Sequence, residues 1–120
     1  LASQSMIAGT LTGVCEALSY AKAKGLDMPT LLKSVSTGAA GSKQLDTFGP
    51  KILAEDYAPG FFMKHFIKDM KLALVEANIS GLSLEMLSLV LANYEELEAE
   101  GLGDLGTQAL MKYYEVQEEE

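Results

Sequence analysis

Lys68 and Asp69 set an ammonium and a carboxylate side by side inside an otherwise apolar run, Pro59–Leu74. At ~100° per residue, Phe61 and Lys68 fall almost on one line of a helix over ~61–77. His65 and Leu72 lie close to that line, and Asp69 borders it. A ring, an amine and a carboxylate on one stripe suit a helix lining a ligand cleft. The competing reading, favoured by periodicity alone, is a core helix with a partly solvated Lys-Asp step.

Other residues with chemical potential lack partners at useful spacing. His65 is the lone histidine, and no serine sits on a nucleophile elbow to make it part of a triad. With one His, one Cys and scattered carboxylates, no metal-ligand spacing is found. Gly101–Gly106 matches GxGxxG letter for letter. That motif needs a preceding strand and a following βαβ unit to hold pyrophosphate. Here a helix precedes it, so a flexible helix–helix linker is expected. The small-residue stretch Gly38–Ser42 is either a close-approach loop for a ligand or a tight interhelical turn.

The elements that position these residues are helical. Ile7, Leu11, Val14 and Leu18 repeat at helical spacing, which predicts one long helix over ~2–24. Gly25 ends it. Asp27 and Pro29 restart a helix carrying Leu31, Leu32 and Val35. Ser42 is the expected cap of a short helix to Phe48, which Gly49-Pro50 should break before a brief turn through Leu53. After the Asp56–Gly60 loop comes the Lys68 helix. Ser83 is the expected cap of a further helix ending near Gly101, and Asp104 or Thr107 caps a last one with Leu110, Met111 and Tyr114. No strand alternation is present. The fold class is all-α, a single domain of roughly five to seven helices.

The chain of 120 residues carries a net charge of −8 from 9 basic and 17 acidic residues. That charge argues against nucleic acid and anionic membranes as partners. The acids at 95–100, Glu115 and Glu118–Glu120 read as solvated helix ends and a frayed tail. Cys15 is alone, within an apolar stripe, so a buried structural thiol in a reducing, cytoplasmic setting is expected. No run reaches the ~18 apolar residues of a membrane span. The uncapped start at Leu1, without Met, reads as a fragment of a longer protein.

Five motifs in order carry a family likeness: Gly25-Leu-Asp27, Gly38-Ala-Ala-Gly-Ser42, Gly49-Pro50, Asp56-Tyr-Ala-Pro-Gly-Phe61 and Ile67-Lys-Asp-Met70. Across nearly its whole length the chain resembles the C-terminal domain of the β-hydroxyacid dehydrogenases. That group includes 3-hydroxyisobutyrate dehydrogenase and is related to 6-phosphogluconate dehydrogenase. The resemblance implies a multi-helical C-terminal domain of the 6-phosphogluconate dehydrogenase type, joined to an N-terminal Rossmann domain by its long first helix. It implies oxidation or reduction of a short 3-hydroxy acid such as 3-hydroxyisobutyrate with NAD or NADP. The proton-transferring lysine is expected just before Leu1, leaving this fragment inactive alone.

By the same resemblance, Ser3 takes the place of the family's substrate-orienting Asn. Phe61 and Asp69 border the substrate, and Lys68 contacts the nicotinamide ribose region. Lys68, Asp69 and Ala73 match the family's Lys-Asp-Leu-Gly-x-Ala-x-Asp motif, whereas Lys71 replaces its Gly and Val75 its last Asp. The family's C-terminal domains also build subunit contacts, so a homo-oligomer is expected. A noncatalytic helical dimerisation module is the alternative reading.

Overall fold

The structure, a computed structural model, describes residues 2–119. Leu1 and Glu120, named above as the uncapped start and the end of an acidic tail, lie outside them. Among the described residues there are six α-helices and one 3-10 turn, with no strand beyond a single bridge between Phe62 and Gly106.

Helix α1, Ala2–Ala23, is the axis of the fold and packs against every other helix. Its buried residues Ala8, Leu11, Val14, Cys15, Leu18 and Ala21 recur at the three-to-four spacing that keeps one stripe inward. The helix stops at Gly25, whose φ of +72° is the left-handed conformation that a side chain disfavours. There the Leu26 N–H reaches back to the Ala21 carbonyl at 3.0 Å, closing the last turn.

Helix α2, Met28–Ser36, buries no residue fully; Leu31, Leu32 and Val35 lie half-buried against the core. The Gly38–Ser42 stretch is a tight turn between helices. A Cβ on Gly41 would collide with the Ser36 carbonyl, so backbone packing alone explains that glycine. Ser42 Oγ accepts the Leu45 N–H at 3.0 Å and caps α3, as the sequence predicts.

Helix α3, Lys43–Leu53, corrects one expectation: it runs through Gly49-Pro50 without a break. The residue before a proline normally leaves the helical region because its Cβ meets the ring. Gly49 has no Cβ, and that same absence lets Leu32 of α2 seat on the backbone; a Cβ there would lie 3.0 Å from Leu32 Cδ2. Packing thus holds a helix that local rules would end. Its C-terminal turn closes on Glu55, a non-glycine residue with φ of +55°.

Helix α4, Met63–Ile79, and α5, Glu85–Ala99, pack closely on one another and on α1. Ser83 does not cap α5; Leu84 occupies that position without a side-chain bond. A buried 3-10 turn, Thr107–Leu110, leads into α6, Met111–Glu119. Glu115, Glu118 and Glu119 therefore belong to a helix rather than to a tail. At the centre, the Phe66 ring meets Tyr94 edge-on at 5.4 Å, and the Tyr94 hydroxyl donates to the Thr107 carbonyl at 2.8 Å. A buried phenol needs such an acceptor to offset its lost hydration.

Candidate functional site

Phe61 is not part of the helix that carries Lys68, which corrects the face drawn from periodicity. Helix α4 begins at Met63 with Phe62 in extended conformation before it. Phe61 reaches the helix through tertiary contacts instead. Its ring stands edge-on to His65 at 6.3 Å and to Phe66 at 6.2 Å. His65, Lys68 and Leu72 do share the exposed side of α4, as i, i+3 and i+7 require.

The loop 101–106 holds Phe61 in place, and this overturns its reading as a flexible linker. The Met63 N–H donates to the Leu105 carbonyl at 2.8 Å, and the Lys64 N–H to Gly103 at 3.0 Å. The Thr107 N–H donates to the Phe61 carbonyl at 3.1 Å. Amides at the start of a helix lack intrahelical partners; here loop carbonyls supply them. Gly106 has no room for a Cβ, which would strike the Gln108 amide oxygen and lie 3.0 Å from the Ala58 carbonyl. Buried Gln108 then donates its Nε2 hydrogens to the Asp56 and Ala58 carbonyls at 3.1 and 3.0 Å. The segment leading to Phe61 is thereby sewn to the 3-10 turn. Lys64 and Asp104 add an exposed ion pair at 2.7 Å, and that ammonium holds the Asp104 carboxyl below its ordinary range.

Lys68 and Asp69 do not pair. Neighbours in sequence point about 100° apart on a helix and do not face one another. Lys68 is exposed, and no ion pair involves it among the described residues. Asp69, half-buried, accepts a 2.7 Å hydrogen bond from Nε2 of Gln4 on α1. Lys71, standing where the family has Gly, faces Glu95 of α5 across 3.5 Å. Val75, in place of the family's Asp, is exposed.

Gln4 also lines a cavity of about 240 Å³ with Ile7, Gln44, Phe48, Phe61, Phe66 and Thr107. This pocket gathers α1, α3, the pre-helical Phe61, α4 and the 3-10 turn. Ser3 is exposed and is not among the lining; it sits one helical turn before Ile7 on the same face. Sequence reasoning thus missed Gln4, Gln44, Phe48 and Thr107. Gln4 alone carried a signal, as the neighbour of Ser3.

A larger cavity, about 680 Å³, is an apolar groove between α1 and the α2–α3 pair, lined among others by Gly13, Ala17, Leu31 and Val35. None of Ser3, Phe61, Lys68 or Asp69 reaches it. Cys15 lies buried in the core, and burial pushes its thiol up to about 12. It is a structural residue, as its place in the apolar stripe implies.

The fold defines an all-α domain of the C-terminal, 3-hydroxyisobutyrate dehydrogenase type. The family model described as NAD-binding of NADP-dependent 3-hydroxyisobutyrate dehydrogenase matches residues 1–114, and the chain belongs to that family. It is 49% identical to a probable 3-hydroxyisobutyrate dehydrogenase-like 1, mitochondrial, of Arabidopsis thaliana, over 92% of this chain and 33% of the relative. It is 43% identical to an uncharacterized oxidoreductase, YkwC, of Bacillus subtilis, over 95% of this chain and 40% of the relative. The fold matches a crystal structure of 3-hydroxyisobutyrate dehydrogenase from Salmonella typhimurium with TM-score 0.86 at 21% identity, covering 92% of this chain and 39% of that one. The chain therefore spans a third to two fifths of the length of these proteins.

Proposed function

We propose that this domain forms the helical wall of the active-site cleft in an NAD(P)-dependent dehydrogenase of short 3-hydroxy acids such as 3-hydroxyisobutyrate. The observation that carries the reading is the Gln4–Asp69 contact beside the Phe61 pocket, with unpaired Lys68 next in sequence on the same helix. Family membership and the relatives' names support the reaction class.

Each residue has a physical reason to be there. The amide of Gln4 fixes the Asp69 carboxylate, so it can hold a substrate hydroxyl without reorganising. The Phe61 ring keeps water from the pocket where transfer takes place. Ser3 offers a hydroxyl on the exposed side of α1 for orienting substrate. An unpaired ammonium at Lys68 suits the hydroxyls of a cofactor ribose. The α4 N-terminal amides at Met63 and Lys64 are taken by the loop, which leaves them no part in holding the dinucleotide phosphates. The nicotinamide, when bound, supplies the hydride chemistry. The proton-transferring lysine belongs to this reading too, from outside the residues described.

The partners in this reading are a small hydroxy acid, a Rossmann domain of the same protein and a second copy. Leu72, Val75 and Ile79 form an exposed apolar stripe on α4 beyond Lys68, with Leu82 after it. Such a patch marks a surface that something covers. The same stripe is the observation that favours the second reading, a noncatalytic dimerisation module.

Lys68→Ala in the complete protein separates the two. Under the first reading KM for NAD(P) rises about tenfold or more with the melting temperature unchanged, because the side chain is exposed. Unaltered cofactor kinetics would favour the dimerisation module.

A further inference from the structure

Gln108 is a fully buried amide that touches neither the small pocket nor any charged group. Its Nε2 donates to the Asp56 carbonyl at 3.1 Å and to the Ala58 carbonyl at 3.0 Å. Carbonyl oxygens only accept, so these two partners decide which way round the amide lies. Among the described residues no backbone N–H reaches either carbonyl. Its own Oε1 is buried without a partner. An apolar side chain of the same length would fill this space without that cost. What it would lack is the pair of donors, and those act on the backbone path of residues 56–58.

That path leads to Phe61. Gly106 N–H donates to the Tyr57 carbonyl at 2.8 Å, between the two carbonyls held by Gln108. A Cβ on Gly60 would meet nothing, so no neighbour steers the chain there. The Phe61 ring is therefore placed from its two sides, by the hold on residues 56–58 and by the Thr107 N–H on the Phe61 carbonyl. The 3-10 turn that supplies both holds is itself fixed to the core, because the Tyr94 hydroxyl donates to the Thr107 carbonyl at 2.8 Å. Helix α4 is anchored separately. Its first amides bind the Leu105 and Gly103 carbonyls, and Asp69 is tied to Gln4 on α1. Cutting the Gln108 bonds thus frees the Phe61 wall and leaves Lys68 and Asp69 where they are.

We infer that Gln108 is a positioning residue of the active site: from outside the pocket it sets the Phe61 ring, by way of the Asp56–Ala58 backbone. This rests on the dehydrogenase reading above and extends the site to a residue with no contact to its cavity. Its effect on turnover passes through Phe61 alone.

The test is a double-mutant cycle in the complete protein, with 3-hydroxyisobutyrate and whichever of NAD and NADP it turns over. Gln108→Met keeps length and removes both donors. In this variant kcat/KM for the acid should fall about tenfold or more, and the dissociation constant of the reduced cofactor should stay within about twofold. Phe61→Ala should lower kcat/KM as well, and adding Gln108→Met to it should cost nothing further, because the ring to be positioned is gone. Gln108→His returns one N–H near the place of Nε2 and should recover part of the loss. It also carries the cycle if a thermal melt shows Gln108→Met unfolded. A merely structural role would give losses that multiply in the double variant, since a shortage of folded protein lowers every background alike. Multiplying losses, cofactor affinity that falls in step with kcat/KM, or a Phe61→Ala protein as active as wild type would each overturn the role of Gln108 and leave the dehydrogenase reading standing. Wild-type protein that oxidises no short 3-hydroxy acid would overturn both.

Discussion

Gln4 on α1 and Asp69 on α4, separated by 65 residues of sequence, meet in a 2.7 Å hydrogen bond. The bond ties the long central helix to the helix that carries Lys68. It also gives the half-buried Asp69 carboxylate a fixed direction. Because the same Gln4 lines the Phe61 pocket, one side chain couples the carboxylate to the cavity wall.

Gln4→Leu removes that donor while keeping the bulk. A hydrogen bond to a charged, partly buried group is worth about 1–3 kcal/mol. Urea unfolding of the complete protein should show a loss toward the lower end of that range, because the site is partly solvated. Turnover should fall further than stability does, since Asp69 loses its orientation. Equal turnover in Gln4→Leu and wild type would remove the contact from the site.

The Phe61 platform depends on Gly106. Gly106→Ala forces a Cβ against the Gln108 amide oxygen and the Ala58 carbonyl. Overpacking of this kind costs about 1–3 kcal/mol. Near-neutral behaviour in a thermal melt would mean the 56–62 segment is held by something other than the Gln108 clamp.

Glu55 closes α3 in the left-handed region that three glycines occupy at Gly25, Gly81 and Gly101. A side chain there is strained by roughly 1–2 kcal/mol, partly offset because glycine loses more chain entropy on folding. Glu55→Gly should therefore stabilise the domain by up to about 1 kcal/mol, read as a higher urea midpoint with unchanged slope. A lower midpoint would show that the Glu55 side chain itself contributes.

Alkaline pH should unfold the domain. Burial pushes the Cys15 thiol up from its ordinary 9.0 to about 12 in the fold. A raised value favours the protonated, folded form, so this contribution is complete below pH 9 and is lost as pH climbs toward 12. Burial raises the Tyr57, Tyr94 and Tyr114 phenols in the same direction, and their contribution falls away above pH 10.0. The melting temperature should hold steady through neutrality and drop from about pH 9. Iodoacetamide at pH 8 should label Cys15 only after denaturation, because the thiolate is the nucleophile. Rapid labelling of the native protein would contradict its burial.

Much of the fold was legible because its signals are local. The stripe of Leu11, Val14 and Leu18, the stop at Gly25 and the Ser42 cap each depend on residues within a turn or two. So does the exposure of Lys68, which follows from its position between buried Ile67 and Met70 on a helix. The ordered motifs from Gly25 to Met70 pointed to the family for the same reason: each is a short string read in place.

The rest depends on how distant segments meet, and there local rules give way to packing. Pro50 continues a helix because Gly49 has no Cβ and Leu32 of α2 needs that space. Phe61 joins the α4 face without being in the helix, because Gly103 and Leu105 consume the first amides of α4. Lys68 and Asp69, inseparable in sequence, face apart because a helix turns about 100° between them. Sequence alone determined the helical class, the helix ends at Gly25 and Ser42, and the family. Only the tertiary structure decided that Gln4 holds Asp69 and that Gln44 faces the Phe61 pocket, since both contacts are set by the crossing of α1, α3 and α4 rather than by any periodicity within one of them.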